Sequence, residues 1–236
     1  NNNIMHGTLY LVPTILSEEA LHVIPQNVFD ITNKLTVFFV ENEKTARRYL
    51  RKSGFTASFE TTPILPLNEH TDMATVSTYV EYLKQGTDCA LMSEAGVPAV
   101  ADPGSVLVRF CHQNNIRVVP LVGPSSILLA LMGSGLNGQQ FHFHGYIPVK
   151  QPQRKQYIQH MEAETKKGVT QIFIETPYRN NAILQDRISA CNSDVLLCIA
   201  YDLTGTKESI RTQPISYWKK HLPALEKIPA IFLLGM

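Results

Sequence analysis

Short apolar runs separated by helical stretches constrain this chain more than any other feature of it. Leu9 to Val12, Leu35 to Val40, Ile64 to Leu67, Cys89 to Met92 and Val118 to Val122 have the length and the branched or aromatic content of strands. Between them the spacing predicts helices over Thr45 to Lys52, Met73 to Lys84 and Ser105 to Asn114. Asp72 stands where an N-cap belongs, and Gly54 and Gly86 serve as stops. Strands joined through helices pair in parallel, because the chain must cross over to begin the next strand from the same end. In such a sheet ligands bind outside the carboxyl ends of the strands. The loops after Val12, Val40, Leu67 and Met92 are therefore expected on one rim.

The second half alternates in the same way, with a less regular order. Strands are expected at Phe141 to Tyr146, Thr170 to Ile174, Val195 to Ala200 and Ile231 to Gly235. Helices are expected at Gln153 to Lys166, Asn181 to Cys191 and Ser216 to His221, and Tyr201 to Ser209 reads as a polar loop. The fold class is α/β, with a mostly parallel sheet in a first domain, residues 7–120, and a mixed sheet in a second, residues 121–236. Pro120 and Pro124 mark the joint, and the polar opening Asn1 to His6 is set aside.

Composition excludes several classes. A chain of 236 residues, 44% hydrophobic and 17% charged with net charge +1, is an ordinary globular protein without the field of a strongly basic nucleic-acid binder. Its densest basic cluster, Arg47, Arg48, Arg51 and Lys52, is either a solvated helix face or a phosphate contact, and Lys150, Arg154 and Lys155 form a smaller group. Cys89, Cys111, Cys191 and Cys198 lack metal-binding spacing, so neither a zinc cluster nor a disulfide framework is expected, and the setting reads as reducing and cytoplasmic. No apolar run reaches the roughly 18 to 20 residues needed to span a bilayer, so no membrane association is expected.

Several short motifs carry chemistry. Ala90 to Gly104, reading ALMSEAGVPAVADPG, is a strand feeding two turns, either plain connections or a loop whose glycines let the backbone approach a ligand. Asn68-Glu69-His70 sets a carboxylate beside an imidazole ahead of a helix, a constellation that serves acid/base chemistry or merely decorates a helix start. Gly123-Pro124-Ser125-Ser126 caps a helix or binds an anionic group. Gly133-Ser134-Gly135-Leu136-Asn137-Gly138 has dinucleotide-loop spacing, but a helical run precedes it where a strand is required, so it is read as a helix end and turn. His142 and His144 share one face of a strand without further ligands, and no metal site is expected.

Taken in order, LYLVPT (Leu9 to Thr14), LNEH (Leu67 to His70), SEAGVPAVADPG (Ser93 to Gly104), VPLVGPSS (Val119 to Ser126), GYIPVK (Gly145 to Lys150), IETPYR (Ile174 to Arg179) and DLTGTKE (Asp202 to Glu208) resemble the tetrapyrrole-methylase superfamily. Within it they are most similar to the ribosomal RNA small-subunit methyltransferase I group, which methylates a cytidine ribose 2′-hydroxyl. The resemblance spans nearly the whole chain. It implies two α/β domains with S-adenosylmethionine in the cleft between them, usually in a homodimer, and ribosomal RNA or the small ribosomal subunit as partner. It places Pro13, Ser93, Glu94, Ala95, Gly96, Ala101, Ser125 and Ser126 against the cofactor, with Thr176, Leu203, Pro229 and Ala230 on its adenine side. A sulfonium ligand suits a snug pocket with few polar anchors, which small residues permit. For the proton of an acceptor hydroxyl, Glu69 and His70 are the candidate catalytic groups, with Glu41 a third.

Some positions depart from the family pattern. Ile15-Leu16-Ser17-Glu18 replaces a Pro-Ile and Gly-Asn loop, Glu41-Asn42-Glu43-Lys44 replaces an acid-Asp-Thr-Arg group, Glu94 replaces an Asp, and Tyr201-Asp202-Leu203-Thr204-Gly205 replaces Arg-Glu-Leu-Thr-Lys. Three functions are consistent with this pattern: an RNA 2′-O-methyltransferase with salt-sensitive binding through Arg47, Arg48, Arg51 and Lys150, a methyltransferase for a tetrapyrrole or other small molecule, and a non-catalytic cofactor- or RNA-binding member.

Overall fold

A computed structural model describes residues 5–236, apart from the side chains of residues 180, 183 and 186–188. The chain divides into two units, the first ending at Ser125 and the second beginning at Ser126.

In the first unit strands and helices alternate: β1 (Thr8–Val12), α1 (Gln26–Thr32), β2 (Val37–Val40), α2 (Glu43–Lys52), β3 (Ile64–Pro66), α3 (Met73–Lys84), β4 (Cys89–Met92), α4 (Ser105–Gln113) and β5 (Arg117–Pro120). The sheet order is β3-β2-β4-β1-β5, and every pairing is parallel, as the alternation requires. Successive strand residues point to opposite faces, so the sheet carries two cores. Leu9, Phe39, Cys89 and Leu91 face Val76, Tyr79, Leu83, Leu107 and Cys111 of α3 and α4. Val12, Phe38, Ala90 and Met92 face Val28, Ala46, Tyr49 and Leu50 of α1 and α2. The Phe39 ring is fully buried and stacks on Tyr79 with centroids 4.7 Å apart. Truncating a buried ring of this kind costs about 3–5 kcal/mol.

Helix ends follow local chemistry. Asn42 caps α2 by accepting from the Thr45 N–H at 3.0 Å, and Asp72 caps α3 by accepting from the Thr75 N–H at 2.7 Å. Hydrogen bonds from Thr75 hold the Asp72 carboxyl below its ordinary pKa.

The second unit contains α5 (Ser126–Ser134), β6 (Phe141–Tyr146), α6 (Gln153–Thr165), β7 (Thr170–Ile174), α7 (Asn180–Ala190), β8 (Leu196–Tyr201), β9 (Ser209–Pro214), α8 (Ile215–Trp218) and β10 (Ala230–Gly235). Its sheet order is β6-β7-β10-β8-β9, with β6 and β7 parallel and the other pairs antiparallel. The sheet is mixed, as expected. Phe173 and Phe232 stack at 5.4 Å in its core, and the Trp218 indole N–H donates to the Leu197 carbonyl at 2.8 Å. The glycine-rich stretch after Met132 ends α5, with Gly135 at φ +72°, and turns the chain toward β6. Strand β9 is an addition to the expected order, since the polar run Ser209 to Pro214 lacks apolar alternation.

Candidate active site

In the first unit the chain runs from β1 across β4 to β2, then returns through β3 to β4 and crosses β1 to reach β5. Connections leave β1 and β4 in opposite directions. With right-handed crossovers, α1 and α2 cover one face and α3 and α4 the other, so a crevice opens beyond the ends of these adjacent strands. A cleft of about 300 Å³ occupies this place. Its walls are Thr14, Ile15, Leu16 and Glu18 from the loop after β1, Ser93, Glu94 and Ala95 from the loop after β4, and Thr45, Ala46, Arg48, Tyr49 and Lys52 from α2.

Hydrogen bonds tie the loop after β1 to the loop after β4 and to α2. The Thr14 N–H donates to the Gly96 carbonyl at 2.9 Å, and the Tyr49 hydroxyl donates to the Pro13 carbonyl at 3.1 Å. Burial raises the Tyr49 pKa, so this phenol stays protonated and keeps donating. Gly96 has φ +73°, and a Cβ there would lie 3.0 Å from the Pro124 carbonyl and 3.1 Å from Leu16. A Cβ at Gly123 would overlap the buried Pro13 ring. These glycines let three loop segments close on one another.

The expected cofactor residues play distinct parts here. The Ser93 hydroxyl lies 3.3 Å from the carbonyls of both Ala95 and Gly96, so it shapes the loop. Glu94 and Ala95 are exposed on the cleft wall. The Glu94 N–H donates to the Glu41 carboxylate at 2.7 Å, which makes Glu41 a brace for this loop. Asp102 accepts from the Ala99 and Gly104 N–H groups at 2.9 and 2.7 Å, holding the second turn with Ala99 and Ala101 at positive φ. Burial raises the Asp102 pKa against these bonds, and the Glu41 charge adds to the rise. Asp102-Pro103-Gly104 thus shapes the entry to α4.

Glu69 and His70 follow β3, the outer strand of the sheet, and are not among the residues lining the cleft. Their side chains are 84% and 85% exposed and lie 3.4 Å apart. With β2 intervening, the β3 end stands about 10 Å along the rim from that of β4. The sequence neighbours are together, but apart from the loop after β4.

The basic cluster separates by role. Arg51 donates to the carbonyls of Phe55 and Ala57 at 2.6 and 2.8 Å and lies 4.0 Å over the Phe59 ring. Arg47 pairs with Glu43. Arg48 and Lys52 instead face the cleft, where Arg48 meets the Glu18 carboxylate at 2.8 Å and Lys52 donates to the Glu18 carbonyl. Glu18 lies 30 residues before Arg48, a pairing that local sequence could not reveal.

In the second unit, register gathers the remaining expected residues. Ile174 pairs with Ile231 and Tyr201 with Ala230, so Thr176, Leu203, Pro229 and Ala230 lie toward the same end of the three central strands. Asp202 and Thr204, on either side of Leu203, both have positive φ. The Glu175 carboxylate is buried at this end and accepts from the Thr176 N–H at 2.8 Å. Its other oxygen and the Thr204 hydroxyl are buried without a hydrogen-bond partner among the described residues. Such atoms are costly unless a ligand or water satisfies them, and they fit a polar ligand such as an adenosyl group here. Glu175 was legible only as part of IETPYR. Ser125 ends the first unit and Ser126 opens α5.

His142 and His144 stack at 3.9 Å, and His144 bonds the Tyr157 hydroxyl and the Gln171 amide oxygen, both at 2.7 Å. No group of three or more metal-ligating side chains is found among the described residues. Among them, no helix is long and apolar enough to cross a membrane.

No protein-family model matches the chain. Sequence comparison finds the ribosomal RNA small subunit methyltransferase I of Escherichia coli O157:H7, 31% identical over 209 residues, 89% of this chain and 70% of that protein. The protein of the same name from Haemophilus influenzae is 32% identical over 218 residues, covering 92% and 73% of the two chains. That from Vibrio cholerae is also 32% identical over 218 residues, covering 92% and 72%. Among solved structures, the methyltransferase CobJ matches with a TM-score of 0.63 over 98% of this chain and 93% of its own, at 15% identity, a likeness of fold.

Proposed function

The chain belongs to the ribosomal RNA small subunit methyltransferase I family, and from that premise we propose that it transfers the methyl group of S-adenosylmethionine to a ribose 2′-hydroxyl of small-subunit ribosomal RNA. The observation that carries this reading is the meeting of the Pro13 to Glu18 and Ser93 to Gly96 loops at the strand-order reversal, where an α/β sheet takes its ligand. The proposed cofactor contacts are Pro13, Ser93, Glu94, Ala95, Gly96, Ala101, Ser125 and Ser126, with Thr176, Leu203, Pro229 and Ala230 for the adenine. The buried, unpartnered atoms of Glu175 and Thr204 support a polar group beside the last four.

S-adenosylmethionine, when bound, supplies an electrophilic methyl on a cationic sulfur. The protein's work is then to hold the acceptor oxygen in line with the carbon–sulfur bond and to take away the hydroxyl proton. The backbone bond between Thr14 and Gly96 and the Glu41 brace on Glu94 keep the cofactor wall fixed for this. Glu69 and His70 are the proposed proton acceptors. The imidazole takes the proton and the neighbouring carboxylate orients it, once RNA laid along the rim has covered both groups. The proposed assembly is a homodimer, as the resemblance implies, in the reducing, cytoplasmic setting that the cysteine usage suggests.

Incubation with S-[methyl-³H]adenosylmethionine and unmodified small-subunit particles tests the assignment. Nuclease digestion should release the label as a 2′-O-methyl nucleoside. Label on a porphyrinoid acceptor and none on RNA would establish the small-molecule reading instead. Absence of calorimetric binding at millimolar cofactor would sink both.

A further inference from the structure

Two cations on α2 face the same cleft as the cofactor loop, and a single residue holds both. Arg48 and Lys52 are one helical turn apart and reach Glu18 from the loop after β1. The Arg48 guanidinium meets one Glu18 carboxylate oxygen at 2.8 Å, and the Lys52 ammonium lies 4.0 Å from the other while donating to the Glu18 carbonyl. All three remain accessible: the side chains of Arg48, Lys52 and Glu18 are 60%, 39% and 66% exposed. Exposed ion pairs are weak and exchange readily, so this arrangement can be displaced. Arg47 and Arg51, on the same helix, are engaged by Glu43 and by the Phe55 and Ala57 carbonyls.

We propose that Arg48 and Lys52 form the binding site for a backbone phosphate of the acceptor RNA, and that the Glu18 carboxylate occupies the phosphate position until RNA arrives. The inference rests on the RNA reading above and names which cations serve it. A phosphate oxygen matches a carboxylate oxygen as a guanidinium partner, and a backbone phosphodiester offers two such oxygens to the fork and the ammonium together. Thr45 and Tyr49 complete the α2 wall. The acids facing the cleft are Glu18 and Glu94, so phosphate is admitted on the α2 side and repelled from the Ser93 to Ala95 side, which separates the RNA backbone from the cofactor loop.

The test measures binding of small-subunit ribosomal RNA to the full chain, with S-adenosylhomocysteine present, across a salt series. Arg48→Ala and Lys52→Ala should each weaken binding about fivefold and make the salt dependence shallower. Glu18→Gln should tighten it about threefold. Arg47→Ala should leave it unchanged. Far-ultraviolet circular dichroism and the thermal unfolding midpoint should stay close to wild type in all four variants, which shows that they are folded, since the ion pairs removed are exposed. Wild-type RNA binding that Arg48→Ala and Lys52→Ala leave intact would overturn the site while leaving the RNA reading standing. A wild-type chain that binds cofactor but no RNA would overturn both. Weaker binding in Glu18→Gln would show Glu18 to be a partner of the RNA rather than its stand-in.

Discussion

At the scale of single residues, His144 links packing to pH. Burial disfavours its imidazolium and lowers its pKa from the ordinary 6.5, the Gln171 bond opposes this, and the charges of His142 and His160 lower it further. Tyr157 and Gln171 hold its two ring nitrogens, and His142 stacks on its face. In the unfolded chain the same side chain accepts a proton near pH 6.5, whereas in the fold it resists. Its stabilising contribution is therefore complete above about pH 6.5 and is lost as pH falls through that value toward the folded pKa. Urea titrations at pH 7.5 and 5.5 should show wild type losing stability at the lower pH and His144→Gln losing measurably less. An equal loss in both would remove His144 from the account. The sequence placed both histidines on one strand face, but Gln171 lies 27 residues from His144 and is brought there by the pairing of β6 with β7.

Among elements, the connection from α2 to β3 shows what a basic residue does when it faces its own chain. Arg51 ties the Phe55 and Ala57 carbonyls and stacks on Phe59, and the Phe59 ring in turn stacks on Phe55 at 5.8 Å. Arg51→Ala should destabilise the protein by about 1 kcal/mol in thermal or denaturant unfolding, because a part-buried and an exposed carbonyl lose a charged donor and the Phe59 ring loses its stacked guanidinium. Arg51→Lys should not restore the loss, since an ammonium cannot form the planar fork. A Lys variant as stable as wild type would refute the fork. Sequence alone could not distinguish Arg51 from Arg48, since their difference lies in partners 6 residues ahead and 30 behind. It did locate β4, α3, β6 and β7, where apolar alternation, a cap and glycine stops agree. It missed β9 because that edge strand is recruited by its ladder to β8, from Leu196↔Pro214 to Tyr201↔Ser209, with little apolar signal of its own.

Across the whole molecule, near-neutrality and a buried thiol set describe how the chain meets its surroundings. All four cysteines are buried, and burial pushes the Cys111 thiol up to about 11 and Cys89 up to about 12, with smaller additions at Cys89 from Asp88 and Cys111. Thiols are the wrong species for nucleophilic attack. A colorimetric disulfide reagent should therefore label none of the four in the native protein at pH 8 and all four in guanidinium. Rapid labelling of even one native thiol would contradict this packing. The crevice at the strand-order reversal has a consequence for divergence. One wall leads through the loop after β1 to the layer of α1 and α2, and the other through the loop after β4 to the layer of α3 and α4, with separate cores beneath. Side chains beneath each wall pack into its own layer, and the walls meet at their tips through the Thr14–Gly96 bond and the close approach of Gly96 to Leu16. On the proposed assignments, Ile15-Leu16-Ser17-Glu18, already different from the family pattern, is the wall to respecify for another acceptor, and Ser93-Glu94-Ala95-Gly96 is the wall to keep for the methyl donor.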